Sequence, residues 1–224
     1  KLAYSTVDGK NYGVPFDNGA VIGAYRTDIL EQAGYTTADL TDIDWNRFIE
    51  IGKDVKAKTG AYMLSGQADS PDTIMMMLQS AGASLFDEDG KPAMTDNAAL
   101  KECIDIYKTM VDEGIYLEVN KWDDYVTSIT KGTVAGVING NWIIATIQGM
   151  EDTAGKWEIT NMPKLIKTPN ATNYSNNGGS SWYITSNCKN KDLAIDFLKS
   201  TFAGSVKLYE NILPTTGAIG TYAP

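Results

Sequence analysis

The chain of 224 residues is 43% hydrophobic and 10% aromatic, long enough for one large or two small domains with a real core and too apolar for a disordered segment. With 19 basic against 28 acidic residues its net charge is −9, which disfavours nucleic acid and anionic membranes as partners and favours a neutral or cationic ligand. It has no histidine, and neither of its two cysteines, Cys103 and Cys188, belongs to a CxxC pair, so no zinc site can be assembled from them.

In chain order, Lys1-Leu2-Ala3-Tyr4 runs straight into a polar turn at Val7-Asp8-Gly9-Lys10, without the pattern of a secretion signal, as in a mature or trimmed chain. Residues 11–16 and 20–25 read as strands. Thr27 is placed to cap a short helix from Asp28 to Ala33 that Gly34 stops. Asp44 caps a longer helix with Trp45, Phe48, Ile49, Gly52 and Val55 on one face, followed by Gly60. Ser70-Pro71 opens a third helix carrying Ile74, Met75, Leu78 and Ala81, and the extra Met76 and Met77 read as flexible core filling. Asp87-Glu88-Asp89-Gly90-Lys91 imitates a calcium loop, but Ala98 stands where the bidentate acid is required, so the segment reads as a turn between short strands.

Thr95 or Asp96 then caps an amphipathic helix with Leu100, Cys103, Ile104, Tyr107, Met110 and Val111 inward, ended by Gly114. Cys103 on that stripe reads as a buried thiol, although the sequence leaves a disulfide to Cys188 open. A helix from Asp123 to Lys131, a strand near Trp157 to Met162, a proline-punctuated stretch over 163–177, a strand at Trp182 and a helix from Lys191 to Phe202 complete the series. Leu193, Ala194, Phe197, Leu198 and Thr201 share one face of that last helix. The uncharged stretch from Gly132 to Met150 holds two Asn, a Gln and four Gly, and reads as strand, turn and helix rather than a membrane span.

Two aromatic-tipped segments stand out. In KGTVAGVINGNW, Val134 to Ile138 reads as a buried strand, Asn139-Gly140 as a turn tolerant of positive φ, and Asn141 as the cap of a short helix opening with Trp142. That would present the indole at the C-terminal end of a strand, where open α/β sheets hold ligands. In NNGGSSWYIT, Gly178 and Gly179 admit close approach to the backbone, while Ser180 and Ser181 offer hydroxyls. Apolar faces beside neutral hydrogen-bonding groups suit a sugar. A Trp after a buried strand is also a common core residue, and spacing alone leaves both readings of Trp142 open; Trp182, inside a strand alternation, reads as support for its loop.

Common catalytic constellations are missing. Without histidine there is no Ser-His-Asp or Cys-His arrangement, the Gly-Lys pairs at 9, 52, 90 and 155 lack a following Ser or Thr, and no GxGxxG occurs. Two acids suffice for glycoside hydrolysis, and Asp17, Asp69, Asp123 and Asp124 are the candidates, with Asp123 and Asp124 read first as helix-start acids. The glycosylation patterns at Asn170 and Asn173 are frequent by chance.

The order of segments adds a further observation. DGKNYGVPFDNGAVIGAYRTDILEQAGY, DWNRFIEIGKDVKAKTG, the helix after Gln67-Ala68-Asp69, KGTVAGVINGNW and GGSSWYITSNCKNKDLAIDFLKSTF together resemble the extracytoplasmic solute-binding proteins of sugar ABC transporters, the class that includes maltose-binding protein. The resemblance implies an α/β protein of the type II periplasmic-binding-protein fold whose two lobes close on a carbohydrate outside the cytoplasmic membrane and deliver it to ABC permease subunits. It implies a monomer with no cofactor, no metal, no nucleic-acid partner and no enzymatic activity. By that resemblance, the Trp of NGxW stacks on a sugar ring, which maps onto Trp142. Asp17, Asn18, Gln67 and Asp69 are further ligand candidates, Gly179 and Ser180 second-rank ones, and Trp45 is structural. Family members are about twice this length, so the chain is expected to be an internal fragment: residues 1–18 a hinge strand and remnant of the first lobe, 19–165 the second lobe, and 166–224 a returning strand with partial first-lobe helices. Two competing readings remain: a carbohydrate-active enzyme or its binding module, which needs two acids converging in a pocket, and a structural domain, which needs Trp142 buried with no cavity beside it.

Overall fold

The computed structural model describes residues 5–221. Four short strands lead off: β1 (Thr6–Val7), β2 (Lys10–Asn11), β3 (Gly13–Pro15) and β4 (Asp17–Asn18). There follow β5 (Val21–Arg26), α1 (Thr27–Ala33), α2 (Trp45–Thr59), β6 (Leu64–Gln67), α3 (Asp72–Ser80), α4 (Ala98–Asp112), β7 (Tyr116–Val119), α5 (Trp122–Thr130), β8 (Gly136–Gly140), α6 (Ile144–Gln148) and β9 (Trp157–Thr160). The series ends with β10 (Ser181–Tyr183), α7 (Lys191–Ser200), α8 (Val206–Thr216) and β11 (Ile219–Gly220). The described residues divide into a larger unit, 21–139 with 146–177, and a smaller one, 5–20, 140–145 and 178–221.

The larger unit is an α/β layer structure. Strands run in the order β8-β5-β9, with β5 and β9 antiparallel, while β6 and β7 are parallel. A parallel bridge between Tyr62 and Val134 links the β6 and β8 edges, so the order reads β7-β6-β8-β5-β9. Every residue of β8 is buried, as a strand covered on both faces requires. Gly136 and Gly23 leave room for the Tyr25 ring, which is fully buried; a Cβ at either would collide with it.

Helix α2 follows its sequence signals closely. The Asp44 carboxylate accepts the Arg47 N–H, and Gly60 ends the helix in the left-handed region at φ 78°. Trp45, Phe48, Ile51 and Val55 are at most 1% exposed, each contributing roughly 1.5–3 kcal/mol by burial. Ile51 takes the inward place expected for Ile49, which is only partly covered.

Other local expectations are corrected. Thr27 is the first residue of α1 rather than its cap, since Arg26 holds the extended cap position. Asn97, not Thr95 or Asp96, caps α4 by accepting the Leu100 N–H at 3.0 Å. That shifts the buried stripe to Ala99, Cys103, Ile106 and Met110 and leaves Ile104 47% exposed. Met76 and Met77 are buried in the core, as read, more deeply than Ile74 and Met75. Asp87 closes its turn by accepting the N–H groups of Asp89 and Lys91, with Phe86 bridged to Pro92. Cys103 is buried and both cysteines are free thiols; burial pushes the Cys103 thiol up to about 12.

A buried carboxylate ties α4 to residues 166–168. Glu102, 6% exposed, accepts from Ile166 N and Lys167 N, both at 2.8 Å, and from the Thr168 hydroxyl at 2.8 Å. Burial alone would raise its pKa, but these donors together outweigh desolvation and hold it below the ordinary glutamate value. Asn173 is likewise buried, its Nδ2 donating to Ile43 O and Met162 O, so the second glycosylation pattern has no accessible amide.

In the smaller unit β3 pairs antiparallel with β10, and β4 with β11. Phe16 packs against Trp182 at 5.8 Å, Phe202 at 5.2 Å and Tyr209 at 6.2 Å, and Trp182 stays 45% exposed. On the apolar face of α7, Ala194 and Leu198 are partly covered, yet Leu193 is 70% and Phe197 57% exposed. Helix α8, capped by Ser205 and ended by Gly217 at φ 64°, was masked in sequence by Pro214.

Candidate ligand-binding site

The segment KGTVAGVINGNW builds one half of the candidate site. Gly140 is the last residue of β8 with φ −58°, so no positive-φ turn intervenes and the chain passes directly into a 3-10 turn, Asn141–Ile143. Asn141 is the first residue of that turn rather than a cap. It is buried, its backbone N–H donates to Ala20 O at 2.8 Å, and its Nδ2 donates to Gly217 O. Ile143 is also fully buried. Clamped on both sides, Trp142 is held only half-buried, which separates it from core tryptophans such as Trp45.

The NNGGSSW loop lies against that indole. Gly178 has φ 113°, and a Cβ there would sit 3.1 Å from Trp142 Nε1. The positive φ favours glycine, and the close approach leaves a side chain little room. The loop is pinned at its far end: Asp17, 8% exposed, accepts the Ser180 N–H at 2.6 Å, and Phe16 N donates to Ser180 O at 2.8 Å. Gly179 and Ser180 are exposed, and Asn18, partly buried, pairs with Ile219. The structure thus joins Asp17 to Ser180 and Trp142 to Gly178 within the smaller unit.

Gln67 and Asp69 belong to the larger unit. Gln67 ends β6 and borders a shallow, open concavity shared with Ser70, Thr73, Tyr116, Trp122 and Asn139. Asp69, in the exposed turn after β6, does not line it. Tyr116 shares a 2.8 Å hydrogen bond with Thr73, and burial pushes its phenol up to about 12. Its hydroxyl occupies the space a Cβ at Gly66 would need. Tyr125 accepts from Asn139 Nδ2 at 3.0 Å, and Asn139 Oδ1 accepts from Asn177 Nδ2 at 2.8 Å. Asp72 is the sole charged residue among the described residues that line the concavity. No group of His, Cys, Asp and Glu able to hold a metal occurs among the described residues, and none of their helices is long and apolar enough to cross a membrane.

Trp122, Thr73 and Tyr116 escaped the sequence reading because no turn or glycine signal marks them. Trp122 opens a helix whose acids drew attention instead.

Solved structures define the fold. The GacH receptor of Streptomyces glaucescens, solved unliganded and with acarbose, superposes with a TM-score of 0.83 at 21% identity, covering 99% of this chain and 55% of that one. The ABC transporter associated binding protein of B. animalis subsp. lactis, in complex with β-1,6-galactobiose, does so with a TM-score of 0.78 at 24% identity, covering 97% and 53%. The fold is that of type II periplasmic binding proteins.

The chain belongs to the bacterial extracellular solute-binding proteins, matching that family over residues 1–217. It is 43% identical over 221 residues to the lactose-binding protein of Rhizobium radiobacter, covering 99% of this chain and 52% of that protein. It spans about half the length of the curated relatives it matches.

Proposed function

We propose that the protein binds a neutral carbohydrate outside the cytoplasmic membrane for delivery to an ABC importer, and that it holds this ligand without transforming it. The observation that carries the reading is the partly exposed indole of Trp142, clamped by buried neighbours and flanked by a glycine loop. A rigid aromatic face beside backbone and neutral polar groups binds a sugar ring by its C–H face and hydroxyls, with little side-chain entropy left to lose. Trp142 and Gln67 are the primary contacts. Asn18, Asp69, Gly179 and Ser180 lie at exposed or partly covered edges able to add hydrogen bonds, and Asp17 positions Ser180.

Binding rather than catalysis is supported by the wall of the concavity, where Asp72 has no second carboxylate for glycoside hydrolysis. The larger unit corresponds to one lobe of the family fold and the smaller to part of the other. The working form is a monomer that docks on permease subunits. The lactose-, arabinooligosaccharide- and maltooligosaccharide-binding relatives set the first probes: lactose, arabinotriose and maltotriose. Calorimetric titration with these three tests the reading. Saturable binding of one of them, with no hydrolysis product, supports it; hydrolysis of a bound saccharide overturns it in favour of an enzyme.

A further inference from the structure

Trp122 keeps 44% of its surface exposed at the start of α5 and lines the concavity together with Gln67, Ser70 and Thr73, which bring amide and hydroxyl groups to it. The Trp122 ring packs on Tyr125 at 5.3 Å and 42°. Tyr125 is 4% exposed, and its hydroxyl is held by Asn139, itself held by Asn177. This series of contacts fixes the ring before any ligand arrives, so stacking on it requires little further ordering. An apolar face set beside hydroxyl and amide groups matches the two-sided chemistry of a pyranose. Among the described residues no Lys or Arg lines the wall, and Asp72 does, so a sugar carboxylate would meet a like charge there.

We propose that Trp122 is a stacking platform for a neutral sugar ring, a contact site built entirely from the larger unit and additional to Trp142. Gln67 supplies its amide to the same ring, and Asp72 turns away uronic acids. The assignment rests on the carbohydrate reading above and extends it to a second aromatic contact and to ligand charge.

The test is calorimetric titration of the chain and its Trp122→Ala and Trp122→Phe variants with lactose, arabinotriose, maltotriose and digalacturonate, with thermal midpoints recorded in parallel. The expected result is that the tightest neutral saccharide loses roughly tenfold or more in affinity in Trp122→Ala. Trp122→Phe should retain most of it, and both midpoints should stay close to that of the parent. Digalacturonate should bind the parent more weakly than the neutral saccharides, a gap that Asp72→Asn narrows. Unchanged affinity in Trp122→Ala overturns the platform while leaving the carbohydrate reading intact. So does equal loss in both variants with a lowered midpoint, which marks a packing role. Failure of the unmutated chain to bind any of the neutral saccharides overturns the carbohydrate reading and this assignment with it.

Discussion

Trp142 and Gly178 lie against each other: a side chain at 178 would come within 3.1 Å of the indole Nε1. Gly178→Ala adds a methyl group 3.1 Å from Trp142 Nε1 and puts a side chain at φ 113°. It is expected to cost about 1–2 kcal/mol of stability and to shift the tryptophan emission, weakening saccharide binding. Thermal melting and fluorescence titration of the variant check both effects. Much of this pair was visible in sequence, because NGNW and NNGG are unusual strings whose residue types each imply a constraint. The role of Asn141 was not visible. Its amide reaches Gly217, 76 positions away, and a local reading assigns an Asn before a helix to capping because that partner is near in sequence. Trp122 was missed for a related reason, since its value comes from Tyr125, Asn139 and Asn177 behind it.

Among the elements, α4 shows where helical periodicity stops being sufficient. The stripe was recognised, but Asn97 took the cap and the buried face turned to Ala99, Glu102, Cys103, Ile106 and Met110. A glutamate on a core-facing position is legible only once the donors of residues 166–168 are in place. Glu102→Ala strands three donors and is expected to destabilise the chain by about 2–4 kcal/mol in chemical denaturation, with Glu102→Gln costing less. Because the folded-state pKa of Glu102 is lowered, its contribution is present above the ordinary glutamate pKa and is lost as pH falls through the lowered value. Denaturation midpoints of the parent should therefore fall more steeply on acidification than those of Glu102→Gln. The same helix makes a thiol prediction. Cys103 is fully buried with its pKa pushed up to about 12, whereas Cys188 is partly exposed. A disulfide reagent at mild alkaline pH should titrate one thiol readily and the second only on unfolding.

For the whole molecule, the fold class was recoverable from the order of five segments, each weak alone. Strands β6, LSGQ, and β7, YLEV, are four residues each, and LSGQ carries no β-branched or aromatic residue; parallel pairing to each other defines them more than composition does. The core that these strands support lies in the larger unit and runs from Val21 to Leu165 without a disulfide. A ligand that binds only the folded state raises stability by about 2.7 kcal/mol at 100 times its Kd, so the thermal midpoint of the chain should climb with saccharide concentration.

Tryptophan fluorescence titration with lactose, arabinotriose and maltotriose, run in parallel on the chain and on Trp142→Ala with circular dichroism to check folding, addresses the central claim most directly. The account predicts a saturable emission change for one saccharide class, and an affinity loss on the order of 10- to 100-fold in a normally folded Trp142→Ala. Undiminished binding in Trp142→Ala, or no response of the chain to any of the three saccharides, would contradict it.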